Sequence, residues 1–113
     1  MSGTQPPMEI AVQDVKRMMD TGEKFLLLDV RQPKEYDTAR IAGSMLVPLS
    51  ELPQRVEELR AHADRPIITH CHKGMRSLQA AQWLRNQGFT VVRSMAGGID
   101  DWSLKIDPTI PRY

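Results

Sequence analysis

Short apolar runs separated by stretches of helical spacing constrain the fold of this 113-residue chain more than any other feature. Phe25 to Val30 is the clearest, an apolar run that ends in Asp29-Val30-Arg31. It is too short for a typical helix, and a strand buried on both faces has this composition. Met45-Leu46-Val47, closed by Pro48, reads as a second strand, Ile67 to His70 as a third and Phe89 to Met95 as a fourth. Between them, Val12, Val15, Met18 and Met19 recur at helical spacing, with Thr21-Gly22 as a stop. Pro33 opens a short helix through Glu35, Tyr36 and Asp37. Leu49, Leu52, Val56 and Leu59 form the next stripe, with Pro53 tolerable only in its first turn. Ser77 to Gln87 is a helix ended by Gly88, and Gly97-Gly98 turns into a last short helix holding Trp102. Strands alternating with helices imply right-handed crossovers. The expected architecture is α/β: an open, mostly parallel sheet of about five strands with helices on both faces.

One domain over residues 1–113 accommodates all of this, with no internal repeat and no low-complexity segment. Residues 1–7 and 107–113 are expected to be loose or extended ends. The net charge is +1 without a basic run, so nucleic acid is not an expected partner. No apolar run approaches membrane-spanning length, and Met1 to Met8 is polar and proline-containing, unlike a signal peptide. A single cysteine excludes an intrachain disulfide framework and argues against a cysteine-based zinc cluster. A soluble protein of a reducing compartment, the cytoplasm, is the expectation.

That cysteine, Cys71, sits where the third strand turns into a helix, in Cys71-His72-Lys73-Gly74-Met75-Arg76. In parallel sheets ligands bind beyond the carboxyl ends of the strands. Asp29, Arg31 and Cys71 all fall there. A thiol at this turn meets the unpaired N–H groups and positive dipole end of the following helix, which favour the nucleophilic thiolate. Lys73 and Arg76 add positive charge within the same turn. His70 and His72 flank the cysteine, but no second cysteine or H-x-x-x-H pair completes a ligand set, so neither metal nor cofactor is expected. Adjacent strand residues point to opposite faces, so His70 reads as a packing residue. Trp83 and Trp102 read as core anchors. Asp29 and Arg31 read as supporting residues, a pair tying the strand end to the loop near Glu35, with substrate contact the alternative.

Four residues separate Cys71 from Arg76, C-x4-R. Cysteine-dependent phosphatases and similar arsenate reductases use five, a wider ring for a phosphoryl group. The shorter loop, together with Leu28-Asp29-Val30-Arg31, Glu35-Tyr36, Ile41-Ala42-Gly43-Ser44, Val47-Pro48-Leu49 and Gly97-Gly98-Ile99-Asp100-Asp101-Trp102, resembles the single-domain rhodanese family of sulfurtransferases. Arg40 departs from the pattern, standing where the family usually has histidine.

This resemblance implies a rhodanese-like fold and a double displacement. Cys71 would take the sulfane sulfur of a small anion such as thiosulfate and hold it as a persulfide. Cyanide, a thiol or a partner protein would then remove it. It further implies that the backbone N–H groups of His72, Lys73, Gly74, Met75 and Arg76 hold the anionic sulfur, while the Lys73 and Arg76 side chains attract donor oxygens. Two other readings remain: a phosphatase-like or arsenate-reducing enzyme, which loop length disfavours, and a non-catalytic interaction module, which the cysteine disfavours. The ending Ile106-Asp107-Pro108-Thr109-Ile110-Pro111-Arg112-Tyr113 resembles tails of rhodanese domains fused to E1-like adenylating enzymes, which suggests a sulfur relay to such a partner.

Overall fold

A computed structural model describes residues 6–113. Five strands form one sheet in the order β1-β5-β4-β2-β3. They are β1 (Glu9–Ile10), β2 (Leu26–Asp29), β3 (Met45–Leu46), β4 (Ile67–His70) and β5 (Val92–Met95). All four strand pairings are parallel. Five helices connect and cover them: α1 (Val12–Asp20), α2 (Pro33–Thr38), α3 (Leu52–Arg60), α4 (Met75–Asn86) and α5 (Gly98–Lys105). The expected open parallel α/β sheet is therefore the observed one. No helix among the described residues is long and apolar enough to cross a membrane.

Alternation along β2 and β4 sorts the core into two layers. Leu26, Leu28 and Ile67 pack on one face with Leu52 and Leu59 of α3 and Ala80, Ala81 and Leu84 of α4. Leu27 and Ile68 pack on the other with Val12 and Val15 of α1 and Ile99 and Trp102 of α5. Burial on both faces explains why these strands are apolar throughout. Trp102 is buried as expected, and Trp83 packs half-buried against the first layer.

Several boundaries differ from the sequence reading. Strand β1 has no counterpart in the sequence reading: two residues, one exposed and one buried, carry no periodic signal. Phe89 to Val91 precedes β5 instead of belonging to it; Phe89 is buried but outside the ladder. The stripe from Leu49 to Leu59 splits into a 3-10 turn (Leu49–Glu51) and α3, with Pro53 in the first turn of the latter. Helix α4 starts two residues before Ser77, so Met75 and Arg76 belong to its first turn.

The ends of the described stretch are tied down. Residues 1–5 of the expected loose N-terminal segment lie outside the described residues. The carbonyls of Pro6 and Pro7 accept hydrogen bonds from Arg85 (2.8 Å) and Arg93 (2.9 Å). Residues 107–113 form no helix or strand, yet they are not loose: Ile110 packs on the second core layer and Arg112 pairs with Asp100 at 2.9 Å.

Candidate active site

Strand β4 lies between β5 and β2, so its carboxyl end delivers Cys71 to the centre of the sheet edge. The chain then turns through His72 and Lys73 to Gly74, which caps α4 with φ 114°, a left-handed conformation that suits a residue lacking Cβ. This turn aims donors at the sulfur. The N–H groups of Gly74 and Ser77 donate to Cys71 Sγ at 3.1 and 3.3 Å.

Helix α5 holds the turn from outside. The N–H groups of Ile99 and Asp100, at its free amino end, donate to the carbonyls of Cys71 (2.9 Å) and His72 (3.0 Å). A trans peptide points its carbonyl and following N–H in opposite directions, so the N–H groups of His72 and Lys73 face away from α5. Among the described residues, those two and the N–H groups of Met75 and Arg76 meet no acceptor. Gly98 makes the close approach possible: a Cβ there would sit 2.5 Å from both carbonyl oxygens.

Of the five backbone N–H groups expected to face the sulfur, only that of Gly74 bonds it directly, and the second donor is Ser77, a residue the sequence reading did not single out. Ser77 is fully buried. Its Oγ is 3.4 Å from Sγ, donates to the Gly74 carbonyl at 3.2 Å and shares a 2.8 Å hydrogen bond with Ser94 Oγ of β5. A polar residue directly after Arg76 on the inner face of the helix is the signal that could have flagged it. Cys71 is itself only 1% exposed.

The cations are arranged differently from one another. Lys73 is exposed and makes no ion pair among the described residues. Met75 is 77% exposed beside it. Arg76, expected to await an anion, instead forms a two-bond pair with Glu35, Nη1 to Oε1 at 2.7 Å and Nη2 to Oε2 at 2.9 Å. Arg76 holds the Glu35 carboxyl down at about 2, and Glu35 in turn raises Arg76 above the ordinary arginine value.

Behind this pair lies a buried one. Arg31 and Asp29, both fully buried, share hydrogen bonds from Nε (2.9 Å) and Nη2 (2.6 Å). Arg31 also donates to the carbonyls of Ala39 (2.7 Å) and Glu35 (3.3 Å). The pair thus ties the end of β2 to α2 and, fully buried, offers no exposed surface. His70 is fully buried with neither ring nitrogen hydrogen-bonded, 3.7 Å from Asp29; burial lowers its pKa to about 4 despite that carboxylate. Arg40, at the divergent position, lies over the Tyr36 ring at 4.4 Å.

Tyr113 completes the surroundings. Its ring stacks on His72, with centroids 4.0 Å apart and planes 11° apart. Its hydroxyl donates to Glu35 Oε2 (2.8 Å) and accepts from Arg31 Nη1 (2.9 Å), and burial pushes the phenol up to about 12. Such a contact, across 82 positions from Arg31, leaves no local trace in sequence.

Known proteins resemble this chain in sequence and fold. A putative sulfur carrier protein of Bacillus subtilis, YrkF, is 37% identical over 88% of this chain and 52% of its own length. The maize adenylyltransferase and sulfurtransferase MOCS3-1 is 34% identical over 92% of this chain, which spans 23% of that protein. The human single-domain sulfurtransferase TSTD1 superposes with a TM-score of 0.76 at 25% identity, covering 88% of this chain and 98% of that one. The chain spans about half or less of these two longer relatives. The rhodanese-like domain model matches residues 11–105, and the chain belongs to the rhodanese-like domain family.

Proposed function

We propose that this protein is a sulfurtransferase that carries sulfane sulfur on Cys71. The observation that carries the reading is the pair of backbone N–H groups, from Gly74 and Ser77, aimed at Sγ from the start of α4. Donors fixed in a dry site stabilise negative charge without reorganising. In the first half-reaction the Cys71 thiolate attacks the outer sulfur of a donor such as thiosulfate. Its S–S bond breaks, and sulfite leaves with the electron pair. The product is Cys71 persulfide, whose terminal sulfur bears the charge. The unpaired N–H groups of His72, Lys73, Met75 and Arg76 are available to that sulfur, and exposed Lys73 draws in the anion. In the second half-reaction a thiophile, cyanide or a thiol, attacks the terminal sulfur and regenerates the thiolate. Two displacements through a covalent intermediate give ping-pong kinetics.

A partner protein as the acceptor is favoured by the maize relative, whose name joins adenylyltransferase to sulfurtransferase. A lone thiol with this role belongs in a reducing compartment, and we place the protein in the cytoplasm. Thiocyanate formation from thiosulfate and cyanide tests the reading: Cys71→Ser abolishes it, with the fold unchanged by circular dichroism. Turnover retained in that variant contradicts the assignment.

A further inference from the structure

Arg76 closes the C-x4-R turn and has the planar fork best suited to an oxyanion, yet the fork is filled by Glu35. Glu35 is held there from three sides. Its Oε1 also accepts the Gln32 N–H at 3.0 Å, closing the first turn of α2, and its Oε2 accepts the Tyr113 hydroxyl at 2.8 Å. The phenol oxygen is positioned in turn by Arg31, itself fixed by buried Asp29. On its other side the Tyr113 ring lies flat on His72. One tail residue therefore touches the start of the turn at His72 and meets its end, Arg76, through Glu35. The Arg112–Asp100 pair anchors the tail to the first turn of α5, the helix that holds the turn's carbonyls.

We propose that Tyr113 is a positioning residue that keeps the Glu35 carboxylate seated in the Arg76 fork, so that the site selects sulfur donors of low charge, such as alkyl persulfides, over dianions such as thiosulfate. The substrate class rests on the sulfurtransferase reading above; the charge selection does not. A dianion entering the turn meets the fixed charge of Glu35 a few ångströms from the only guanidinium able to grip it. It must displace that carboxylate or bind on backbone N–H groups with exposed Lys73 as the remaining cation. An alkyl persulfide, at most singly charged, meets a smaller penalty on both counts.

Sulfate, which cannot donate sulfur, isolates the charge term. It is titrated into 15N-labelled full chain at constant ionic strength, following the amides of residues 72 to 77. Glu35→Gln keeps an oxygen for the Gln32 N–H and removes the charge; its sulfate affinity rises about tenfold. Tyr113→Phe keeps the stacking and removes the hydroxyl; its affinity rises about two- to threefold. The double variant matches Glu35→Gln alone, because Tyr113 acts through Glu35. Equal affinity in wild type and Glu35→Gln, no sulfate binding in either, or a Tyr113→Phe effect that persists undiminished in the double variant overturns the proposal. In turnover, Glu35→Gln lowers the thiosulfate KM more than that for a singly charged alkyl persulfide; an equal gain with both donors also overturns it. If Cys71 takes up no sulfur while sulfate affinity changes as stated, the sulfurtransferase reading fails and the charge selection stands.

Discussion

Ser77 is placed so that one buried side chain can serve both protonation states of the Cys71 sulfur. With the thiol protonated, its Oγ lies within reach of the S–H and donates to the Gly74 carbonyl. With the sulfur charged, the same hydroxyl can rotate to donate to it, while Ser94 retains its contact. Ser77→Ala removes that donor but keeps the backbone N–H, so sulfur transfer falls about tenfold to a hundredfold in kcat/KM. Activity within twofold of wild type would show that the hydroxyl is only packing. Arg31 illustrates a different use of charge. Its guanidinium satisfies Asp29, two carbonyls and Tyr113 at once, in full burial. Lysine cannot reproduce this fork. Arg31→Lys therefore lowers unfolding free energy by about 3 kcal/mol, measurable in urea; a loss below about 1 kcal/mol contradicts the reading of Arg31 as the tie between β2 and α2.

At the scale of elements, α5 matters to the Cys71 turn more than its distance in sequence suggests. Its first free N–H groups hold the carbonyls of Cys71 and His72, and contact that close requires a residue without Cβ at Gly98. Gly98→Ala places a methyl group against two backbone oxygens at a position with φ 60°, where alanine is strained as well. The variant loses about 2–3 kcal/mol of stability, and its sulfur transfer falls more than that of Ser77→Ala. Stability and activity close to wild type would mean that α5 does not shape the turn. Helix α5 also marks where sequence stopped being sufficient. The run Ile67 to His70 followed by Gly74 announced β4, the turn and α4, because apolar strands and curled loops have local signatures. Asp29 and Arg31 could be placed at a carboxyl strand edge for the same reason. The pairing of Arg76 with Glu35 spans 41 positions and depends on α2 packing beside the turn, which no local pattern encodes. Two-residue β1 is a strand only because β5 lies alongside it.

The whole molecule gathers buried charge behind the edge that carries Cys71, and its stability toward acid follows. His70 titrates near 4 when folded, against 6.5 unfolded, so the unfolded chain binds more protons between those values. Stability therefore falls as pH drops from about 6.5 to 4, by about 3 kcal/mol from this residue. Glu35, lowered from 4.5 to about 2, adds a second loss only as pH falls below about 4.5. Urea midpoints measured at half-unit steps check the order: decline begins near pH 6.5, and a flat profile down to pH 4.5 would contradict the burial of neutral His70. The sheet, the turn and α5 together hold one thiol against inward-facing N–H groups, and its capacity to carry a sulfur atom is the central claim. Intact mass of the purified protein before and after incubation with thiosulfate or an alkyl persulfide tests it most directly. The account predicts a gain of one sulfur atom that dithiothreitol or cyanide removes and that Cys71→Ser never acquires. No gain with either donor, or the same gain in Cys71→Ser, would contradict it.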